Sequence, residues 1–385
     1  MTDSNDTGRI IAIDVRPSNS PTVGQGIAER VRPRIVSKIA DEGCAKDVAF
    51  VVMHPAVSFL HHYVQAPLCA RGRTMLTLTS RHLNNDSSLL MERLIQDVGA
   101  GVRYLREQGY DKVVLVGNSG GGPVMSLYQS QAENLTIETT PDGRPFDIIP
   151  EDLPPADAVV LLSAHPGRHQ QYRAALDPSV LDEHDPFGVD PALDMYNHDN
   201  GPPYDRAWLE RYQTAQEARH ERITDWALAR LRQLEQSDGR LRADDQGFVI
   251  YRTYAKPATM DHTMDPNDRP AGDDTIFGKG LAVNYSAGVF GRFTTLRSYL
   301  SQWSPLSIAD GPARLAETSV PVINIEYSAD EGCFPSETGQ YTTAVGERCD
   351  TYLLKGAMHF PFTQDNGDAL VGELADVMVD WVGKL

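Results

Sequence analysis

Cysteine is scarce: four in 385 residues, at Cys44, Cys69, Cys333 and Cys349. None falls in a C-x-x-C pair, the spacing that a structural zinc or a redox centre uses, so reduced thiols are expected and no metal site. Long apolar runs are missing as well. Although 41% of the residues are hydrophobic, no stretch approaches the roughly 18 apolar residues of a membrane helix, and a membrane partner is not expected. The opening Met1-Thr2-Asp3-Ser4-Asn5-Asp6 is polar and acidic and lacks the basic and apolar regions of a secretory signal, so the expected location is cytoplasmic. Positive charge is in deficit: 35 Lys and Arg stand against 53 Asp and Glu, a net charge of −18. Phosphate contacts need clustered cations, which disfavours nucleic acid as a partner. Internal repeats, heptads and low-complexity tracts are also absent; a homo-oligomer stays compatible with the composition. The pairs Asp177-Pro178, Asp185-Pro186, Asp190-Pro191 and Asp265-Pro266 read as turn initiators and lack the spacing of a calcium loop.

What is present is strand and helix in alternation. Runs rich in β-branched residues occur at Arg9 to Val15, Pro33 to Ser37, Asp47 to His54, Arg73 to Ser80, Lys112 to Gly117, Ala156 to Ser163, Val320 to Tyr327 and Thr351 to Leu354, enough for eight strands. Between Arg73 and Ser163 they alternate with helical patterns, notably Ser88 to Gln108, where Leu90, Leu94, Val98, Val102 and Leu105 share one face. Such alternation predicts parallel strands with crossover helices, a doubly wound α/β sheet. From about Pro166 the character changes to Pro-rich punctuation. A long amphipathic helix follows over Arg206 to Gln236, with Trp208, Tyr212, Ala215, Ile223, Trp226, Leu231 and Leu234 as its packing stripe, then loop-rich sequence to about Ser319. The expected organisation is a core formed by residues 1–165 and 318–385, with a partly helical cap, 166–317, inserted between its halves.

The most informative stretch is Val113-Val114-Leu115-Val116-Gly117-Asn118-Ser119-Gly120-Gly121-Gly122, an apolar run ending in a glycine-flanked serine. A sharp strand-to-helix reversal strains the central residue and tolerates only small neighbours, and it holds the serine hydroxyl out at a helix N-terminus. There the Gly120 amide and the helix dipole face any negative charge that develops beside Ser119. A phosphate cradle fits poorly. A dinucleotide fingerprint wants glycine where Ser119 stands, and a P-loop wants lysine where Pro123 stands.

Serine is a poor nucleophile until a histidine removes its proton and a carboxylate orients that histidine. His359 lies in Leu353-Leu354-Lys355-Gly356-Ala357-Met358-His359-Phe360, a small-residue loop between the last strand and a helix over Asn366 to Val382. Asp330 lies in the loop after the penultimate strand, with Glu331 adjacent and Glu326 inside the strand as the other carboxylates. The order Ser119, Asp330, His359 is that of the α/β-hydrolase superfamily. Over roughly residues 30–165 and 318–385 the chain resembles that superfamily: an elbow, acid and histidine loops after the last two strands, and an insertion before the acid strand. The resemblance implies the α/β-hydrolase fold, a doubly wound, mostly parallel eight-stranded sheet with a large cap.

It also implies an oxyanion hole of two backbone amides, one after the serine and one from the loop after the third strand, where many members carry His-Gly. Here the loop reads His54-Pro55-Ala56-Val57, and proline has no N–H. Gly120 is therefore the first expected donor and Ala56 the second, with Val57 behind it; His54 is read as bonding the loop backbone. His165, where the cap departs, and Val57 are the substrate-binding candidates. A zinc pair of His165 or His169 with His61 or His62 has no supporting spacing. Asn84, Asn85 and Asp86 read as a helix-entry cap. Phe290, Phe293, Tyr299 and Trp303 read as cap packing, with one or two able to touch an apolar substrate.

The expected activity is hydrolysis of a carboxylic ester or lactone of a mid-sized, partly apolar molecule through an acyl-enzyme, without metal or organic cofactor. The glycine pair after Gly117-Asn118-Ser119 also resembles the elbow of meta-cleavage-product hydrolases, which cut carbon–carbon bonds. Acyl transfer to an alcohol or amine uses the same intermediate, and a non-catalytic ligand-binding relative is the reading of a different class.

Overall fold

The computed structural model describes residues 8–17, 33–83, 85–236, 244–272, 274–286, 288–289 and 291–385. The eight runs picked out by their β-branched content form one sheet: β1 (Arg9–Asp14), β2 (Arg34–Ala40), β3 (Val48–Met53), β4 (Thr74–Leu78), β5 (Lys112–Asn118), β6 (Ala158–Leu162), β7 (Val322–Tyr327) and β8 (Cys349–Leu354). Their order is β1-β2-β4-β3-β5-β6-β7-β8. β2 runs antiparallel to β1 and β4, and the other neighbours are parallel. β3, β4 and β6 are buried along their whole length; β3 and β6 accordingly read as unbroken apolar runs, while β4 carries the buried Thr74 and Thr77. The edge strands β1 and β8 are largely exposed.

In chain order the main helices are α1 (Gln65–Ala70), α2 (Met91–Glu107), α3 (Gly121–Glu133), α4 (Arg168–Ala175), α5 (Arg206–Gln236), α6 (Leu296–Gln302), α7 (Gly311–Ala316), α8 (Pro335–Val345) and α9 (Gly367–Val382). Alternate residues of each central strand face opposite sides. Val113 and Leu115 pack with Leu94 and Val98 of α2, Val124 and Tyr128 of α3, Leu315 of α7 and Tyr341 of α8. Val114 and Val116 pack with Leu68 of α1 and Leu374 and Met378 of α9. The parallel order places the C-terminal ends of β5, β7 and β8 along one edge of the sheet, where loops from distant parts of the sequence meet.

The chain leaves the sheet after β6 and returns at β7. In between, Tyr172, Ile223, Ala227, Leu231, Tyr299 and Trp303 make one apolar cluster of the cap, and Met195, Tyr204, Trp208 and Tyr212 a second. α5 has the expected span, but its stripe is shifted in one place: Trp226 is 43% exposed and Ala227 is buried instead, since four residues beyond Ile223 faces inward here rather than three. Asp185 and Asp190 accept the backbone N–H two residues on, from Phe187 and Ala192, as turn initiators do. Asp177 does the same for Ser179 and also pairs with Arg252 at 2.6 Å. Ala309 and Leu315 already pack against the sheet, so core packing resumes some residues before 318. No helix among the described residues is long and apolar enough to cross a membrane.

Cap and core are stitched at the start of α2. Asn85 caps a short 3₁₀ turn, Asp86–Ser88, through Ser87 N–H, and α2 begins only at Met91; Asn84 lies outside the described residues. Ser301 of α6 accepts the Met91 N–H at 2.8 Å and donates to Glu92 at 2.7 Å, while the other Glu92 oxygen has no partner. Burial, only partly opposed by that hydroxyl, pushes the Glu92 carboxyl up to about 7. The folded state thus holds a proton that the unfolded chain releases near 4.5, so stability is full below that value, falls as pH rises, and carries the whole penalty above about 7. Glu92→Gln is expected to abolish this slope. Relative to wild type it should gain roughly 3 kcal/mol between pH 5 and pH 8 in urea unfolding; parallel curves for the two proteins would contradict it.

Candidate active site

β5 ends at Asn118 and the chain reverses at Ser119, whose φ is +52°, a left-handed conformation that costs a non-glycine residue of order 1–3 kcal/mol. Surrounding bonds hold it there. Ser119 N–H donates to Leu162 O at 3.0 Å and Gly122 N–H to Ser119 O at 3.0 Å. Beneath, Asn118 donates to Leu162 O at 2.8 Å and accepts from the Tyr63 hydroxyl at 3.3 Å. The turn has no room for side chains: a Cβ on Gly117 would lie 2.7 Å from Gly122 Cα, on Gly121 2.6 Å from Met53 O, and on Gly122 2.5 Å from Ala164 Cβ. α3 starts directly after, with Gly120 as its N-cap and no side chain covering its first amides.

The loops after β7 and β8 bring the other two residues to this point. His359 Nε2 is 3.0 Å from Ser119 Oγ, and His359 Nδ1 is 2.9 Å from Asp330 Oδ2. Asp330 is fully buried and His359 is 3% exposed. Asp330 Oδ1 accepts the N–H groups of Gly332 at 2.6 Å and Cys333 at 2.8 Å, and Oδ2 accepts the Ser163 hydroxyl. Glu331 instead accepts the His359 backbone N–H at 3.2 Å, and Glu326 stays within β7. Burial pulls the His359 pKa down, but the Asp330 charge and hydrogen bond, with the Cys333 thiol beside the ring, outweigh it and hold His359 well above 6.5. The arrangement can pass a proton from a hydroxyl to an imidazole whose tautomer is set by a carboxylate.

The amide of Ala56 departs from expectation. It donates to His54 Nδ1 at 3.3 Å, and Val57 N–H donates to the same atom at 3.1 Å. His54 does bond the loop backbone, and in doing so takes up the amide assigned to the oxyanion. The reason is local: Pro55 has no N–H and turns the chain so that the next two amides meet the preceding ring. The Gly120 N–H has no protein acceptor among the described residues.

A cavity of about 650 Å³ opens on Ser119 and His359. Its apolar wall includes Phe59, Phe360 and Phe362 from the core and Phe277, Val289 and Phe293 from the cap. Val57 and His165 line it, as do His54 and Arg168. Burial, then the Arg168 charge, pushes His165 down to about 3, so its ring is neutral. Tyr299 and Trp303 lie in the cap cluster instead, and Phe290 is outside the described residues. His62 faces Asn118 at 3.2 Å and His169 lies 3.7 Å from Asp310. Among the described residues, the one group of three or more whose ligand-type atoms lie within 4.8 Å of one another is Asp330, Cys333 and His359, two members of which already hydrogen-bond each other beside Ser119.

Sequence reading missed three residues here. Ser163, at φ +40° beyond the end of β6, orients Asp330, Cys333 flanks His359, and Arg168 is held by Asp86 at 2.8 Å and by Gln302. Only Ser163 left a signal, as a polar residue closing an otherwise apolar strand.

No family model and no curated protein sequence matches the chain. Solved structures do. The structure of DcsB in complex with its substrate analogue is 12% identical, covers 98% of this chain and 99% of its own, and has a TM-score of 0.51. An esterase domain from a Rhodothermus marinus protein is 12% identical over 97% of both chains, with a TM-score of 0.43. A monoacylglycerol lipase from Paleococcus ferrophilus is 10% identical over 90% of this chain and 98% of its own, with a TM-score of 0.44. At such identities a likeness concerns fold. The chain has the α/β-hydrolase fold, with its mostly parallel eight-stranded sheet and a strand–serine–helix reversal after β5.

Proposed function

We propose that the protein is a serine hydrolase that cleaves a carboxylic ester or lactone of a mid-sized, partly apolar molecule. The observation that carries this reading is the continuous chain of contacts from Ser119 Oγ through His359 to Asp330, 3.0 Å and then 2.9 Å, at the floor of an apolar cavity. Ser119 Oγ attacks the ester carbon as its proton passes to His359 Nε2; the carbonyl π pair moves to oxygen, where the Gly120 N–H receives it. Collapse breaks the bond to the leaving alcohol, which takes the proton from His359. Water, activated by the same imidazole, then releases the acid and restores Ser119. Every step draws on side chains and backbone of this chain. The cavity volume and the cap residues in its wall support a small-molecule substrate over a polymer, and we place no nucleic acid or membrane among its partners.

A fluorophosphonate probe tests the assignment. Wild type should become covalently labelled on Ser119 and Ser119→Ala should not, read by mass spectrometry of the intact protein and its peptides. Equal labelling of both, or labelling elsewhere, would refute it.

A further inference from the structure

Two donors are needed where the ester oxygen becomes an anion, and the Gly120 N–H, directly after Ser119, is one of them. The loop after β3 is the place for the other. The three residues that follow His54 there leave no free amide: Pro55 lacks an N–H, and the Ala56 and Val57 amides both end on His54 Nδ1.

Those two bonds decide the state of the ring. A nitrogen that accepts two N–H groups carries no proton, so in the neutral imidazole the proton is on Nε2. Neutrality follows from the surroundings. Burial first, then the charge of Arg168 and the neighbouring His165 and His359 rings, holds His54 well below 6.5. The Nε2 edge faces the elbow: a Cβ built on Gly120 would meet His54 Nε2 at 2.8 Å and Cδ2 at 3.4 Å. Among the described residues no protein group hydrogen-bonds this nitrogen, and the ring lines the cavity that contains Ser119. The site therefore holds a fixed, neutral N–H donor beside the free Gly120 amide.

We propose that the His54 Nε2–H is the second donor of the oxyanion hole, an imidazole side chain standing where the resemblance implied a backbone amide. It rests on the acyl-enzyme reading above and adds a catalytic residue to it. When the Ser119 Oγ–carbon bond forms, the negative charge on the former carbonyl oxygen is shared between Gly120 N–H and His54 Nε2–H; the proton of His54 stays on the ring throughout. Proline at position 55 fits this arrangement, because with no amide of its own to donate it leaves room for the ring to serve.

Two substitutions separate the donor from the loop brace. Asparagine places an oxygen where Nδ1 is and can keep both loop amides, but ends short of Nε2. Glutamine places its amide nitrogen near Nε2 and reaches the oxyanion, but serves the loop amides poorly. His54→Asn is expected to lose about 10²–10³-fold in kcat on a p-nitrophenyl ester with KM little changed, and His54→Gln to recover most of that loss. A brace alone reverses the ranking, with His54→Asn near wild type and His54→Gln impaired, and that result overturns the proposal. Should either variant fail to fold, histidine ¹H–¹⁵N spectra of wild type decide: the His54 proton must sit on Nε2 and its resonance must move downfield when Ser119 is phosphonylated. A proton on Nδ1, or a resonance indifferent to phosphonylation, also overturns it. Wild type that no fluorophosphonate labels sinks the serine reading and this one together; labelled wild type with a fully active His54→Asn sinks this one only.

Discussion

Ser119→Ala is expected to lower kcat for a p-nitrophenyl ester by about 10⁵–10⁶-fold, leaving only what the oxyanion donors and binding contribute over water. The size follows from the lack of a substitute. Ser163 is fully buried and donates its hydroxyl to Asp330. Cys333 flanks His359, but burial pushes its thiol up to about 11, so it is protonated and unreactive at neutral pH. The fold should survive the change, because the alanine keeps the backbone bonds of the turn and leaves the glycines at 117, 121 and 122 untouched. Kinetics with wild-type contamination removed by fluorophosphonate titration, together with urea unfolding, would check both halves. A variant within tenfold of wild type would place the nucleophile elsewhere.

Asp330→Asn is expected to cost about 10⁴-fold in kcat, and the direction of the amide explains why. Asp330 Oδ1 accepts two backbone N–H groups, from Gly332 and Cys333, which hold the asparagine oxygen at that position and leave its NH₂ facing His359 Nδ1. A donor there forces Nδ1 to accept, so the ring proton moves to Nε2 and points at Ser119; a base has become a donor. The pH profile should change too. With Asp330 charged, His359 titrates well above 6.5, and kcat/KM in wild type must rise through a midpoint above that value as the imidazole loses its proton. Without the charge the midpoint falls. The stability linkage has the matching sign: a raised imidazole pKa stabilises fully below the unfolded value of about 6.5 and the gain is lost as pH rises through the folded one, a slope that Asp330→Asn should erase. An acidic limb that stays in place in the variant would show that another group sets it.

Much of this site is readable along the chain because its causes are short-range. Ser119 is recognisable since the turn after β5 excludes any Cβ at three flanking positions, and steric exclusion of that kind leaves glycines in sequence. β3, β6 and the Val113–Val116 stretch of β5 are recognisable since burial on both faces demands unbroken apolar residues. His359 and Asp330 follow from their places after the last two strands. What escaped depends on which parts are folded against which. Asp330 and Glu331 are adjacent, and only the packing of the loops after β7 and β8 sends one to the His359 ring and the other to its backbone. Trp226 and Ala227 are both apolar, and a rotation of α5 by one residue decides which is buried. Ser163 and Asp330 are 167 residues apart, and nothing near either one announces the contact.

By itself, then, the chain determined its strands, its elbow and the places of the serine and histidine that meet beside it, because backbone sterics and burial act within a few residues and mark each position they constrain. Tertiary structure alone decided which amides the His54 ring takes up, which carboxylate meets the His359 imidazole and which ring lies against Gly120. Hydrogen-bond partners are chosen by proximity and direction in space, and sequence separation carries neither.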